Sequence, residues 1–385
     1  MNKLKIAFIS VARNSIPPKL NTIDGIASIS STLAIELSKK GHDVSFFCPK
    51  GSTIPIPRVE SRLPAISDFY RKTHYKSLTP VARAELLQPF NGELHFLLED
   101  HVKKNEFDLI HFHTSPMIFS LPLTRRISIP KVFTLHDQFS QPYDRIFDMY
   151  SSVTNNYYVS ISYAQRKLLN YDGYISNIYH GLNLKEFPFQ EDPQEKYLFF
   201  SGRFHPVKGL DIAILIAKKL NKQLLFTGQQ SYSSLDYYQE KIKPFIDKDQ
   251  IQMQQLQNRK ELTKFYSHAK MLLFPIQWEE PFGLVMIEAM ACGTPVVAYT
   301  RGSVPEVIKD GETGFLVNPS DEDIRGNWIV KKTGIEGLSE AVMRVYAMSE
   351  NDYKQLRRNC RAHVEKNFTV EKMVDEYEKV YEKIL

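Results

Sequence analysis

Short apolar runs alternate with amphipathic segments along the first half of the chain. Residues Lys5–Ser10 form a β-rich run, and residues 26–40 carry apolar side chains at helical spacing. A glycine then ends the helical pattern, and Val44–Cys48 supplies a second strand. Further apolar runs lie at 107–113, 131–137 and 156–162. Short buried strands separated by helices predict a parallel sheet of βαβ units.

The same alternation restarts after the polar stretch 187–197, with apolar runs in "YLFFSG", "QLLFTG", "KMLLFPI", "TPVVAY" and "GFLV". We therefore predict two doubly wound α/β domains, 1–188 and 189–365, joined by a linker near 186–196. Ligands bind beyond the carboxyl ends of such strands, and two facing sheets would form a cleft between them.

The final segment, 366–385, is amphipathic and predicts a helix that needs a surface to pack against. Its predicted apolar face consists of Val370, Met373, Val374, Tyr377, Tyr381 and Ile384.

Composition narrows the function classes only slightly. The 385 residues suit two domains, and a net charge of +5, from 49 basic and 44 acidic residues, is too small to indicate nucleic acid. The charge fits an anionic small molecule or an anionic membrane surface equally well. Three widely spaced cysteines and the absence of an apolar run of ~20 residues predict a cytoplasmic protein that does not span a bilayer. Peripheral contact with the inner face of a membrane stays open.

Two carboxylates, Glu280 and Glu288, stand eight positions apart in "EEPFGLVMIEAMACGTPVVAY". A helix that begins near Gly283 would turn its free N–H groups towards the loop holding Glu280, which suits an anion or a hydroxyl. At ~1.5 Å per residue the two carboxylates lie up to ~12 Å apart, too far for a glycosidase acid/base pair at ~5–9.5 Å. Spacing alone leaves two interpretations open: clamps on an elongated polar ligand, or incidental charges on a solvated helix.

The loop "SGRFHPVKG" directly follows the first strand of the second half. Its Arg203 offers a planar fork and its Lys208 a point charge, a combination suited to a diphosphate. A solvated basic loop is the alternative. The loop is not a P-loop, and no G-x-G string supports a dinucleotide dehydrogenase.

The first half has polar residues at two predicted strand ends and a glycine at the start of a predicted helix. Gly25 opens a helix and allows close approach of a phosphate, whereas "HFH" and "LHD" place His113 and His136 after two strands. We interpret His136 as a polar group that reaches a substrate and His113 as a structural, hydrogen-bonded histidine. No spacing demands a metal, and both D-x-D strings, at 247–249 and 321–323, are interpreted as solvated surface. Segment 68–87 is basic and aromatic; a mobile acceptor loop, a membrane-facing patch and a solvated helix face are its three interpretations.

Together these motifs resemble the family 4 retaining glycosyltransferases of the GT-B fold, in the same order along nearly the whole chain. The resemblance implies two facing Rossmann-like domains, the first binding the acceptor and the second the nucleotide-sugar donor. It also implies that the C-terminal helix crosses back to the N-terminal domain. The motifs are Gly25, "LIHFH", "FTLHD", "SGRFHPVKG", "EEPFGLVMIEAMACGTPVVA" and "GSVPEVIKDGETGFLV".

The resemblance also assigns roles to residues. Glu280 would contact the donor sugar and Glu288 the ribose of the nucleotide. Arg203 and Lys208 would neutralise the leaving diphosphate, and His136 would lie near the reacting carbon. The catalytic set implied is thus His136, Glu280, Arg203 and Lys208, and backbone groups complete the donor site at Gly25, Phe282, Gly283 and Leu284.

The implied function is metal-independent, retaining transfer of a hexose from a UDP- or GDP-linked sugar to a hydroxyl acceptor. The acceptor is left open among a glycan, a lipid-linked sugar and a small metabolite, and no oligomeric state is assigned. No cofactor is expected beyond the donor, which is a co-substrate. Two alternatives stay open: a nucleotide-sugar epimerase of the same fold, and a non-catalytic nucleotide-sugar-binding subunit.

Overall fold

The chain divides into two compact units, which are described separately. The first consists of Met1–Gly181 together with Val370–Leu385, and the second of Leu182–Thr369. The unit boundaries thus fall at 181/182 and 369/370, a few residues from the sequence-based boundaries at 188/189 and 365/366. The computed structural model describes residues 2–19, 24–69, 78–104, 107–113, 121–139, 143–151, 155–167, 169, 171–193, 196–230, 234–256 and 258–385.

In the described part of the first unit, seven parallel strands form one sheet in the order β3-β2-β1-β4-β5-β6-β7. The strands are β1 Lys5–Ser10, β2 Asp43–Lys50, β3 Arg58–Pro64, β4 Leu109–His113, β5 Lys131–Thr134, β6 Asn156–Ser160 and β7 Tyr174–Asn177. The helices are Gly25–Lys39, Ile66–Phe69, Pro80–Lys104, Leu121–Thr124, Tyr143–Ser151, Tyr163–Arg166 and Val370–Ile384.

The centre of this sheet follows from continuous apolar runs. All five residues of β4 are buried, as are the last five of β1, because helices cover both faces of the sheet. The strand order reverses between β1 and β4, so the ends of these strands mark the topological switch point of the first unit.

The C-terminal helix Val370–Ile384 belongs to the first unit, as the family resemblance implies. It packs against the helix Gly25–Lys39, and the hydroxyls of Tyr377 and Tyr381 hydrogen-bond to side chains of the central strands. The predicted face omits Val380, which is buried, and Ile384 is only partly buried because the helix ends there.

In the described part of the second unit, six parallel strands form a sheet in the order β10-β9-β8-β11-β12-β13. The strands are β8 Leu198–Ser201, β9 Leu224–Thr227, β10 Ile251–Met253, β11 Met271–Phe274, β12 Val296–Tyr299 and β13 Gly314–Val317. The α-helices are Leu210–Lys219, Leu235–Tyr237, Arg259–His268, Leu284–Ala291, Val304–Val307, Gly334–Ala347 and Glu350–Asn367. Shorter helical turns lie at Leu184–Glu186, Pro206–Lys208, Tyr238–Ile242 and Lys243–Phe245. Here the order reverses between β8 and β11.

Pattern reading misses three strands, β3, β7 and β10, which all lie at sheet edges. Their residues are mostly half-buried or exposed, so no apolar run marks them. The basic and aromatic segment 68–87 lies partly outside the described residues, at 70–77. Its described C-terminal part opens the helix Pro80–Lys104.

Candidate active site

The basic loop of the second unit is held against the end of the neighbouring strand. After β8 the chain passes through Arg203 and the turn Pro206–Lys208 to Gly209, which has φ +74°. A Cβ atom at position 209 would lie 2.1 Å from the carbonyl oxygen of Pro275, so glycine allows the close approach of the β8 and β11 loops. Lys208 is thereby placed beside the loop that carries Glu280.

Glu280 and Lys208 form an ion pair in which Lys208 Nζ donates to Glu280 Oε2 at 2.6 Å. The indole N–H of Trp278 donates to the same oxygen at 2.8 Å, and Lys208 Nζ lies 4.8 Å from the centre of the indole ring. The two charged side chains are only 13% and 11% exposed. Because both donors use Oε2, the other carboxylate oxygen, Oε1, is available to accept a bond from a ligand hydroxyl.

Arg203, the other predicted cation of this loop, differs from Lys208 in its exposure and its contacts. Its side chain is exposed, and it forms no ion pair with any residue that the structure describes. Together with Lys208 it lowers the pKa of His205, although burial of the His205 ring is the larger cause. An exposed guanidinium at the end of a parallel strand is positioned to meet an anion.

A second ionic network fixes the backbone on the other side of Glu280. The Glu279 carboxylate accepts bonds from Arg325 and from the backbone N–H of Gly302, at 2.8 and 2.6 Å. Gly302 has φ +60°, and a Cβ there would lie 2.3 Å from backbone atoms of Glu280. Arg301 pairs with both Glu279 and Asp323. This network holds the Glu280 loop tightly against the segment that follows β12.

The helix Leu284–Ala291 begins where the sequence predicts, directly after Gly283. No side chain caps its first turn, and residues 283–285 are partly exposed, so the first amide groups of the helix are accessible. Phe282, by contrast, is buried, and its carbonyl accepts a bond from Ser303 Oγ at 2.8 Å. The uncapped amides offer donors and partial positive charge to an anion or hydroxyl.

Glu288 lies inside this helix and is buried. The Tyr266 hydroxyl donates to Glu288 Oε2 at 3.1 Å. Burial raises the pKa of Glu288, and the nearby Arg259 guanidinium and the Tyr266 hydrogen bond oppose that rise. The alternative of a solvent-facing Glu288 is therefore wrong, because the residue is only 8% exposed.

In the first unit, Gly25 is exposed and starts the helix Gly25–Lys39, as predicted. The side chain of Asp24 caps this helix, accepting from the Ala27 N–H at 3.1 Å, and Asn14 donates to its other oxygen at 2.6 Å. A carboxylate at this position already satisfies one helix amide and adds negative charge. A diphosphate would have to approach Gly25 beside that charge.

His136 follows β5 and lies within hydrogen-bonding distance of His113, with His136 Nε2 and His113 Nδ1 3.0 Å apart. The residue is partly exposed, and burial lowers the pKa of His136 to about 3, so the ring is neutral at physiological pH. His113 is buried and hydrogen-bonded, as the sequence analysis predicts.

The two D-x-D strings play structural roles. The Asp247 carboxylate accepts from the backbone N–H groups of Asp249, Gln250 and Ile251, whereas Asp323 pairs with arginines. Within the described ranges, no group of three or more His, Cys, Asp or Glu side chains is arranged to hold a metal ion. Within the same ranges, no helix is both long enough and apolar enough to cross a membrane.

Sequence reasoning missed three side chains of this site: Trp278, Tyr266 and Arg259. Trp278 stands two residues before Glu280, and an indole in a polar loop after a strand is a signal that could have found it. Tyr266 and Arg259 lie on the helix Arg259–His268 and approach Glu288 only through the packing of two helices. No local pattern reveals that approach.

The chain has the fold of the GT-B glycosyltransferases. Sucrose-phosphate synthase of Thermosynechococcus elongatus superposes with a TM-score of 0.74 at 20% identity, covering 99% of both chains. HepE of Anabaena, solved in complex with UDP and glucose, superposes with a TM-score of 0.71 at 16% identity, covering 99% of this chain and 100% of that one.

Family models assign the chain more narrowly. Residues 23–177 match the model Glycosyltransferase Family 4, and residues 183–327 match Glycosyl transferases group 1. The chain therefore belongs to the family 4, group 1 glycosyltransferases, and it is a transferase enzyme.

Two relatives illustrate the range of similarity. An uncharacterized glycosyltransferase of Methanocaldococcus jannaschii is 27% identical, with 87% of this chain and 95% of that protein covered. A D-inositol 3-phosphate glycosyltransferase of Mycobacterium sp. strain KMS is 34% identical, but the match covers only 40% of this chain and 35% of the relative.

Proposed function

We propose that the chain transfers a hexose from a UDP- or GDP-linked sugar to a hydroxyl acceptor, with retention of anomeric configuration and without a metal ion. The second unit binds the donor and the first unit binds the acceptor. The observation that carries the proposal is the Lys208–Glu280 pair beside the uncapped start of the helix Leu284–Ala291. This arrangement brings together a cation, a carboxylate that can accept a hydrogen bond from a sugar hydroxyl, and free helix amides. All three lie at the ends of two parallel strands.

Each group matches one part of a nucleotide sugar. Glu280 Oε1 accepts a hydrogen bond from a sugar hydroxyl. The backbone N–H groups of Gly283 and Leu284 donate hydrogen bonds to the sugar or to the adjoining phosphate. Glu288 accepts from the ribose hydroxyls, and its contact with Tyr266 orients it. The first unit contributes Gly25 and His136. The comparison with HepE, solved with UDP and glucose, supports a UDP-linked donor for this fold.

In the reaction, the acceptor oxygen forms a bond to the anomeric carbon on the face from which the diphosphate leaves. The bond between the anomeric carbon and the phosphate oxygen breaks, and that oxygen takes the acceptor proton. Lys208 and Arg203 stabilise the negative charge that develops on the leaving nucleoside diphosphate, the task that a divalent cation performs in metal-dependent transferases. The pair Lys208–Glu280 must open for this purpose, since Lys208 then faces the diphosphate.

A panel of UDP- and GDP-linked hexoses, screened by thermal shift on the full chain, identifies the donor. A donor at 100 times its Kd should add about 2.7 kcal/mol of stability. With that donor and an acceptor, NMR of the first product should show the donor's anomeric configuration, and excess chelator should leave the rate unchanged. An inverted product, or a rate lost with chelator and restored by a divalent cation, would contradict the mechanism.

Two other results would favour the alternatives. Conversion of the sugar nucleotide without any acceptor indicates an epimerase. Binding without turnover over a broad acceptor panel indicates a non-catalytic subunit.

A further inference from the structure

Four histidines of the first unit form a row: His111, His113, His136 and His180. The ring centres are 4.2 Å apart for His111 and His113, 5.2 Å for His113 and His136, and 5.3 Å for His136 and His180. Burial lowers the pKa of all four rings, so each is neutral at physiological pH. A neutral imidazole carries one N–H and one bare nitrogen, and the position of that proton decides what the ring can do.

The contact between His113 Nδ1 and His136 Nε2, 3.0 Å long, holds one proton. If His113 donates, its proton is on Nδ1, and His136 must carry its own proton on Nδ1. If His136 donates, its proton is on Nε2, and His113 must carry its proton on its own Nε2. The two arrangements therefore give His136 opposite tautomers.

The surroundings of His113 distinguish these arrangements. Its Nε2 is buried and has no hydrogen-bond partner among the described residues. The ring of Phe8 stacks against His113 at 5.7 Å and offers no acceptor in the plane of the imidazole. Buried N–H groups without an acceptor are rarer in proteins than acceptors without a donor. A bare Nε2 on His113 is therefore favoured, which places its proton on Nδ1.

We infer that His113 is a positioning residue that donates from Nδ1 to His136 Nε2 and so fixes His136 as an Nδ1–H donor towards the bound substrate. No described residue hydrogen-bonds to Nδ1 of His136, and the residue is partly exposed. The inference rests on the proposed function, because that function places His136 at the donor sugar. The tautomer itself can be measured without any substrate.

This arrangement gives His136 a defined chemical role. Its bare nitrogen is occupied by the bond from His113, so the exposed nitrogen donates a hydrogen bond and does not accept a proton. A neutral N–H can bind a sugar oxygen without adding a positive charge beside it. The acceptor proton then passes to the leaving diphosphate and not to His136, in agreement with the proposed reaction.

The first test is ring ¹⁵N NMR of the full chain with labelled histidine, in the absence of substrate. Spectra of His113 and His136 variants assign the two rings. We expect both to be protonated on Nδ1 and bare on Nε2. A His136 ring protonated on Nε2 would overturn the inference, whatever the activity of the enzyme.

The second test compares His113→Asn with His113→Leu. The asparagine amide places an N–H close to the position of Nδ1, whereas leucine removes the donor. With leucine, we expect a mixed tautomer at His136 and a fall in kcat of about tenfold, equivalent to the loss of one hydrogen bond in the transition state. With asparagine, the Nδ1–H tautomer and most of kcat should be retained.

His111→Leu is the matched control. It removes a buried neighbour whose nitrogens bond to Tyr381 and Thr134 and not to His136, so it should lower stability and leave the His136 tautomer unchanged. A His113→Leu variant that keeps the wild-type tautomer would overturn the inference. If this variant does not fold, the wild-type spectrum alone decides. Absence of transfer with every nucleotide sugar would refute the proposed function while leaving the tautomer result standing.

Discussion

Lys208→Met tests the ion pair at the centre of the proposed site. The substitution removes the ammonium group and keeps most of the apolar stem. At an effective dielectric of about 20, unit charges 2.6 Å apart attract by about 6 kcal/mol, and desolvation offsets much of that. Removing one partner leaves the Glu280 carboxylate, 11% exposed, without its cation, at a cost of about 3–5 kcal/mol.

For a unit of this size, such a loss lowers the apparent Tm by on the order of 10 °C, measurable by thermal denaturation of the full chain. The matched control is the double variant Lys208→Met with Glu280→Gln, in which a neutral amide replaces the stranded charge. We expect the double variant to regain at least half of the lost stability. A double variant no more stable than Lys208→Met would refute the pairing.

Activity separates the structural role of Lys208 from its proposed chemical role. Both variants should lose transfer, because the charge on the departing diphosphate is no longer stabilised; losing one such group lowers kcat by about 10²–10³. The stabilisation of about 2.7 kcal/mol by saturating donor should also fall in both. If Lys208→Met transfers sugar at the wild-type rate, the assignment of this lysine to the leaving group is wrong.

Two further predictions concern buried charges of the second unit. Arg357 is fully buried, and its guanidinium donates to backbone carbonyls of four residues: Gln190, Ser267, Ala269 and Cys292. Arg357→Met should therefore destabilise the fold by about 3–5 kcal/mol in denaturant unfolding, since these carbonyls lose their donor; an effect below about 1 kcal/mol would contradict this. The second prediction concerns Glu288. Burial raises the pKa of this carboxyl, so the folded state binds its proton more tightly than the unfolded state does. The contribution of Glu288 to the free energy of unfolding therefore falls as pH rises above about 4.3, the pKa of an unperturbed glutamate. The free energy of unfolding, measured between pH 4 and pH 8, should fall in the wild type and fall less in Glu288→Gln. Parallel pH profiles of the two proteins would refute this role of Glu288.

The local elements of this chain are readable from its sequence. The strand Lys5–Ser10 has the predicted bounds, and the helix after Gly283 begins at the next residue. Both predictions succeed because apolar periodicity and glycine act over a few neighbouring residues. The family, too, is visible in the order of the motifs, and the family models confirm it. The residue roles implied by the resemblance stay predictions.

Some edge strands and one helix face are not predicted correctly from local sequence patterns. The strands β3, β7 and β10 lie at sheet edges, and their residues are mostly half-buried or exposed, so no continuous apolar run marks them. The edge strand β13 is buried over all four residues, and the sequence does mark it. Val380 and Ile384 both suit an apolar face by spacing. The packing of the first unit buries Val380, whereas Ile384, at the end of the helix, is only partly buried.

By itself, then, the sequence determines the buried strands, the amphipathic helices and the polar residues that follow them, since these properties depend on side-chain period and on turn residues. Only the tertiary structure decides which of those polar residues meet. Lys208 reaches Glu280 across 72 positions because β8 and β11 are neighbours in the sheet. His113 reaches His136 across 23 positions because β4 and β5 are neighbours. The order of strands is set by long-range packing, which no local pattern contains.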